Sequence, residues 1–178
     1  SAPSPGVSLA PPAPPAQNGG PFGAIRTARE TWDCADRGLH LNDLLQCGGE
    51  TRRRSLPHIG RGRCWRVRAD VLPSFLCFLA DRGNSFSRMA IGQGMLQAHV
   101  GPLSSARFLG SALLLDAENS VFSVAQDRIA EVWVCAARRS WHLELYDATG
   151  CAVGVLAGDP MADLSQWRDY LASLPAAM

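Results

Sequence analysis

Residues 129–136, IAEVWVCA, and 141–147, WHLELYD, decide the fold. The first is a short run of β-branched and aromatic residues. In the second, Trp141, Leu143 and Leu145 alternate with His142, Glu144 and Tyr146, the period-two pattern of a strand with one buried face and one open face. Asp147-Ala148-Thr149-Gly150 then supplies a hairpin turn into a third run, CAVGVL at 151–156. Upstream, SALLLD at 111–116 and SVFSVA at 120–125 extend the series, so the C-terminal half reads as an antiparallel meander. Two helices flank it. Leu72, Phe75, Leu76 and Leu79 repeat at helical spacing behind Asp70 as N-cap, with Pro73 in the first turn and Gly83 at the end. Leu164, Trp167, Leu171 and Leu174 repeat after Asp163. The economical architecture is α+β, with helices packed on one side of an antiparallel sheet.

The N-terminal third has a different texture. Residues 1–22, SAPSPGVSLAPPAPPAQNGGPF, are rich in proline and carry no charge, so they cannot bury enough surface to offset chain entropy and are expected to form a disordered arm. Residues 23–178 form one domain, the size that 178 residues allow once the arm is set aside. Ile25–Trp32 and Leu41–Leu45 suit short helices, the second stopping at Gly48 and Gly49. The stretch from Thr51 to Arg68 carries Arg52, Arg53, Arg54, Arg61, Arg63, Arg66 and Arg68, interrupted by His58 and Trp65, and reads as a solvated basic loop or a clamp for carboxylates or phosphates, with a nucleic-acid contact as the remaining alternative.

Several function classes recede on composition and motifs. A net charge of +1 supplies no global field for nucleic acid, so no nucleic-acid partner is expected. All 17 basic residues are arginine, which a GC-rich coding genome explains more simply than selection for bidentate anion contacts. The six cysteines, at 34, 47, 64, 77, 135 and 151, contain no CxxC pair and are expected to be reduced thiols in a cytoplasm. No apolar run reaches the roughly 18 residues of a membrane span. GxGxxG, P-loop, HExxH and GxSxG motifs are all missing, which removes the standard nucleotide, zinc-protease and serine-hydrolase readings.

The histidines are His40, His58, His99 and His142, and His99 stands out because glycines bracket it in the run 91–102, IGQGMLQAHVGP. From there the stretch 94–134, GMLQAHVGPLSSARFLGSALLLDAENSVFSVAQDRIAEVWV, resembles the C-terminal half of the cytoplasmic hemin transport and hemin-degrading proteins of Gram-negative bacteria. That family shows GCIQIHTGP, a Val-Leu-Asp strand, IAEVWVV, SLELFDADG and a final Trp-Arg helix. The matching residues here are Gly94, Gln97, His99, Gly101, Pro102, Gly110, Asp127, Ile129 to Val134, Leu143 to Asp147, Gly150, Trp167 and Arg168. The family is a tandem of two homologous halves, and this chain has room for one.

The resemblance implies a fold of paired antiparallel sheets with helices holding a porphyrin, and heme binding or intracellular trafficking in iron utilisation as the function. It places the family's axial histidine close to His40, on a helix from Asp36 to Leu45, and His99 on a strand of the scaffold. Arg52, Arg53, Arg54 and Arg66 are the expected propionate partners, and Trp133, Phe122 and Leu115 the expected wall or core. Hemin degradation is implied by resemblance only, since the sequence displays neither an open iron position nor an electron donor. The shorter 135–140 loop and the loss of a basic segment at 157–160 favour the alternative, a non-catalytic member serving as an interaction or regulatory module. A lone half leaves a sheet face or edge uncovered, so a homodimer is expected.

Overall fold

The computed structural model describes Trp32, Asp33 and residues 50–60, 62–92, 95–138 and 140–177. The 1–22 arm, the two early helices apart from Trp32, and His40 lie outside these residues. Helix α1, Glu50–Ile59, precedes strand β1, Cys64–Val67, and helix α2, Leu72–Arg82. Eight strands follow: β2, Phe86–Gly92; β3, Met95–Gly101; β4, Ser105–Leu109; β5, Ala112–Ala117; β6, Ser120–Ala125; β7, Glu131–Ala136; β8, Trp141–Tyr146; and β9, Ala152–Gly158. Helix α3, Leu164–Ser173, closes the order.

The α+β class holds, but the meander is divided. Strands β4-β5-β6 form a separate three-stranded sheet, while the others form a six-stranded antiparallel sheet in the order β1-β7-β8-β9-β2-β3. One face of the large sheet carries Val67, Val132, Val134, Leu143, Leu145 and Leu156, and packs against Leu72, Phe75, Leu76 and Leu79 of α2, Trp167 and Leu171 of α3, and Leu113, Leu115 and Val124 of the small sheet. Trp167 is anchored there by donating from Nε1 to the Trp141 carbonyl at 2.7 Å. Leu115 is therefore core, and Phe122 packs half-buried beside it.

The opposite face is covered too, which corrects the expectation of helices on one side only. Helix α1 lies on it, with Arg52, Leu56 and Ile59 buried at i, i+4 and i+7. The 51–68 stretch is thus a helix and a strand rather than a basic loop. Pro57 sits inside α1 and Gly60, at φ +101°, follows its end, and the local breakers lose to a buried stripe. A second cluster, including Trp133, Cys135, Val155 and Ala152, fills the space below α1.

Two caps differ from expectation. Asp70 does not cap α2; its carboxylate takes the Arg68 guanidinium at 3.0 and 2.5 Å, and Val71 holds the cap position. Asp163 is itself the N-cap of α3, accepting from the Ser165 amide at 2.8 Å. Gly83 ends α2 in the left-handed conformation, at φ +62°. The 147–150 turn forms as read, with Asp147 Oδ1 accepting from the Thr149 and Cys151 amides at 2.9 Å each.

Candidate functional site

The face beneath α1 concentrates polar side chains that the alternation pattern assigns to solvent. Cross-strand register aligns Cys64, Cys135, His142 and Ala157 in one row, Arg66, Trp133, Glu144 and Val155 in the next, and Glu131 with Tyr146 in a third. His142, Glu144 and Tyr146 are each 0% exposed, so both faces of β8 are buried.

Glu144 is the hub. Its carboxylate accepts from Arg52 Nε at 2.8 Å and Nη2 at 2.5 Å, from His142 Nε2 at 2.8 Å, and from the Tyr146 hydroxyl at 2.6 Å. The Arg52 guanidinium also lies 5.1 Å from the centre of the Trp32 ring, and Trp32 Nε1 donates to the Ala136 carbonyl at 3.2 Å. Burial opposes ionisation of Glu144, but His142 and Arg52 outweigh it and hold the carboxyl well below the ordinary range. Burial likewise opposes charge on His142, yet its hydrogen bonds to Cys135 and Glu144 push it up to about 9. Burial, reinforced by Cys64 and Glu144, raises the Cys135 thiol well above its usual value. Cys135, His142 and Glu144 offer donor atoms within 4.8 Å of one another. Four donors already occupy the carboxylate, so this set is a charge network rather than a metal cage.

A second, shallower unit lies beside it. Arg53 pairs with Glu131, whose Oε2 also accepts from Trp133 Nε1 at 2.9 Å. The Arg53 hydrogen bond is the main reason that Glu131 ionises below its usual value, against a burial effect that opposes it. Next to this pair a cavity of about 530 Å³ opens at the β1 edge, lined by Pro57, Cys64, Arg66, Trp133 and the C-terminal Ala176 and Ala177. Arg66 is exposed there and makes no ion pair among the described residues.

The residues expected to form one site are therefore distributed. Arg52 and Arg53 are committed to Glu144 and Glu131, Arg54 is exposed on α1, and Arg66 borders the cavity. Trp133 is buried on this face. His99 lies on β3 opposite Arg88, in the register row of Trp65, Val134, Leu143 and Leu156, which is the other face of the sheet. It is half-buried, with Nδ1 3.4 Å from Ser120 Oγ, and does not meet the arginines. Its neighbour Arg88 is fully buried with one hydrogen-bond partner among the described residues, the Gly101 carbonyl at 3.0 Å, and lies 5.6 Å from the centre of the Phe86 ring, while Nε and Nη2 have no hydrogen-bond partner there. His142, Glu144, Tyr146 and Cys135 were not singled out from sequence. The available signal was that β8 lies between two strands that are themselves largely apolar, so its polar positions needed internal partners.

No protein-family model matches the chain, and no curated protein matches it. Solved structures do. The chain is similar to PhuS, a heme-binding protein from Pseudomonas aeruginosa, with a TM-score of 0.74 at 20% identity over 84% of this chain and 45% of that one. It is similar to ChuS, a heme-degrading enzyme from Escherichia coli O157:H7, with a TM-score of 0.72 at 20% identity over 83% and 46%. ChuX matches with a TM-score of 0.61 at 10% identity, over 83% of this chain and 95% of that one. The chain thus spans about half the length of PhuS and ChuS and nearly all of ChuX. Its fold is that of the heme-binding and heme-degrading proteins, as a single half-unit.

Proposed function

We propose that this chain binds heme, as a carrier or trafficking protein in bacterial heme utilisation. The observation that carries the reading is the fold, which matches the heme-binding PhuS over 84% of the chain. The cavity at the β1 edge is compatible with it in size and chemistry. At about 530 Å³ it falls within the range of small-molecule sites, with Trp133 as apolar wall and the exposed Arg66 as the cation for a propionate. His40 is the proposed axial ligand, with His99 a scaffold residue on the far face. Titrating hemin into the full chain tests this. A saturable, red-shifted Soret band that broadens in His40→Ala and weakens in Arg66→Ala is expected, and a spectrum no different from free hemin overturns the reading.

The second reading, an interaction or regulatory module without heme chemistry, is favoured by one observation. Arg52 and Arg53, two of the four expected propionate partners, are already neutralised internally. In either reading we propose a homodimer, since Phe108, Leu109 and Val121 stand exposed together on the small sheet. Sedimentation at tens of micromolar is expected to show the dimer, and a monomer alone removes it.

A further inference from the structure

Cys64 on β1 and Cys135 on β7 are direct cross-strand partners. The type of pair matters. The Ala136 amide donates to the Arg63 carbonyl at 2.6 Å, which makes Arg63 and Ala136 a hydrogen-bonded pair. Antiparallel ladders alternate, so the adjacent pair, Cys64 and Cys135, is of the non-hydrogen-bonded kind. Such pairs bring their Cα atoms to about 4.5 Å and their side chains closest together, inside the roughly 4.4–6.8 Å that a disulfide spans. Both thiols project to the same face, below α1. Cys64 is 4% exposed and borders the cavity at the β1 edge, so a small oxidant reaches it from that side, while Cys135 lies behind it at 0%.

We infer that Cys64 and Cys135 are a two-thiol oxidation site, closed to a cross-strand disulfide by hydrogen peroxide and reopened by a dithiol. The Cys64 sulfur attacks peroxide, the O–O bond breaks and one water leaves, giving a sulfenic acid. The Cys135 sulfur then displaces the sulfenic hydroxyl, which departs as the second water with the Cys135 proton. Two S–H bonds and one O–O bond are lost; one S–S bond and two O–H bonds form. Both sulfurs are oxidised and the peroxide is reduced. The other described cysteines have no such partner, since Cys77 is on α2 and Cys151 closes the β8–β9 turn. The link ties β1, a four-residue strand held on its outer side, among the described residues, by the 175–177 segment, covalently to β7. It also draws Cys135 away from His142, coupling the oxidation to the buried network.

The test uses the full chain, reduced, freed of reductant and exposed to hydrogen peroxide. Remaining thiols are then blocked under denaturing conditions and the protein is digested for mass spectrometry. The expected result is a peptide pair joined through Cys64 and Cys135, lighter by two hydrogens and released by dithiothreitol, with slower amide exchange at residues 64–67. In Cys64→Ala, Cys135 should be recovered as a blocked free thiol. Wild-type mapping decides the matter even if that variant folds poorly. Recovery of both wild-type cysteines as free thiols overturns the inference, as does Cys64 ending as sulfinate or joined to a different cysteine.

Discussion

Replacing Glu144 by glutamine keeps the side chain's shape and removes the charge on which the buried network converges. The side chains of Glu144 and Arg52 are 0% and 4% exposed, so neither can turn to water when its partner is lost. Three side chains point hydrogen-bond donors at this carboxylate, and the amide nitrogen of glutamine would set a donor against at least one of them. Breaking a buried pair on one side costs about 3–5 kcal/mol, against a total stability of about 5–15 kcal/mol. For a chain of this size that lowers Tm by roughly 10–15 °C. The double variant Arg52→Met/Glu144→Leu removes both charges and fills the space with apolar atoms, so it should recover more than half of the loss. Urea unfolding followed by tryptophan fluorescence and circular dichroism measures both, and the single variants Arg52→Met and Glu144→Leu complete a double-mutant cycle with the double variant. If Glu144→Gln stays within about 0.5 kcal/mol of wild type, or the cycle shows no coupling, the network does not hold α1 to the sheet as reasoned.

Two further outcomes follow from the same packing. His142 binds its proton more tightly in the fold, up to about 9, so its contribution is complete below about pH 6.5 and is lost as pH rises towards 9. The raised Cys135 thiol adds to that alkaline loss, whereas the depressed Glu144 contributes above about pH 4.3 and is lost on acidification. Stability by urea midpoint should therefore plateau near pH 5–6.5 and fall by up to about 3 kcal/mol by pH 9, and a flat or rising profile over that interval refutes the assignment. Gly158→Ala would bring a Cβ to 2.5 Å from Leu164 Cδ2 and 3.0 Å from Trp167 Cγ, forcing α3 off the sheet at a cost of about 1–3 kcal/mol; an unchanged urea midpoint would show that α3 yields freely.

Much of the fold was readable from local pattern. Period-two alternation in 141–147, the Asp147–Gly150 turn and the helical spacing of Leu72 to Leu79 each depend on near neighbours in sequence, and each formed. The division of the strands into two sheets was not readable, because alternation says that a strand has two faces but not which strands it pairs with. Nor was α1. Pro57, Gly60 and the six consecutive charged or polar residues at 50–55 argue locally for a loop, and the helix exists because Arg52, Leu56 and Ile59 find a sheet to cover.

The candidate site divides along the same line. Sequence by itself determined the α+β class, the heme-protein resemblance and a pool of arginines and histidines. Which of them could act together was decided by register and by the sheet's two faces: His99 went to one face, while Arg52, Arg53 and Arg66 went to the other. The polar half of WHLELYD reads as solvent-facing until another segment is known to lie over it. Only the tertiary structure supplies Arg52, 92 residues away in the chain, as the partner that allows Glu144 to be buried with its charge. Alternation is a property of one strand, whereas burial of a charge is settled by what packs on top of it.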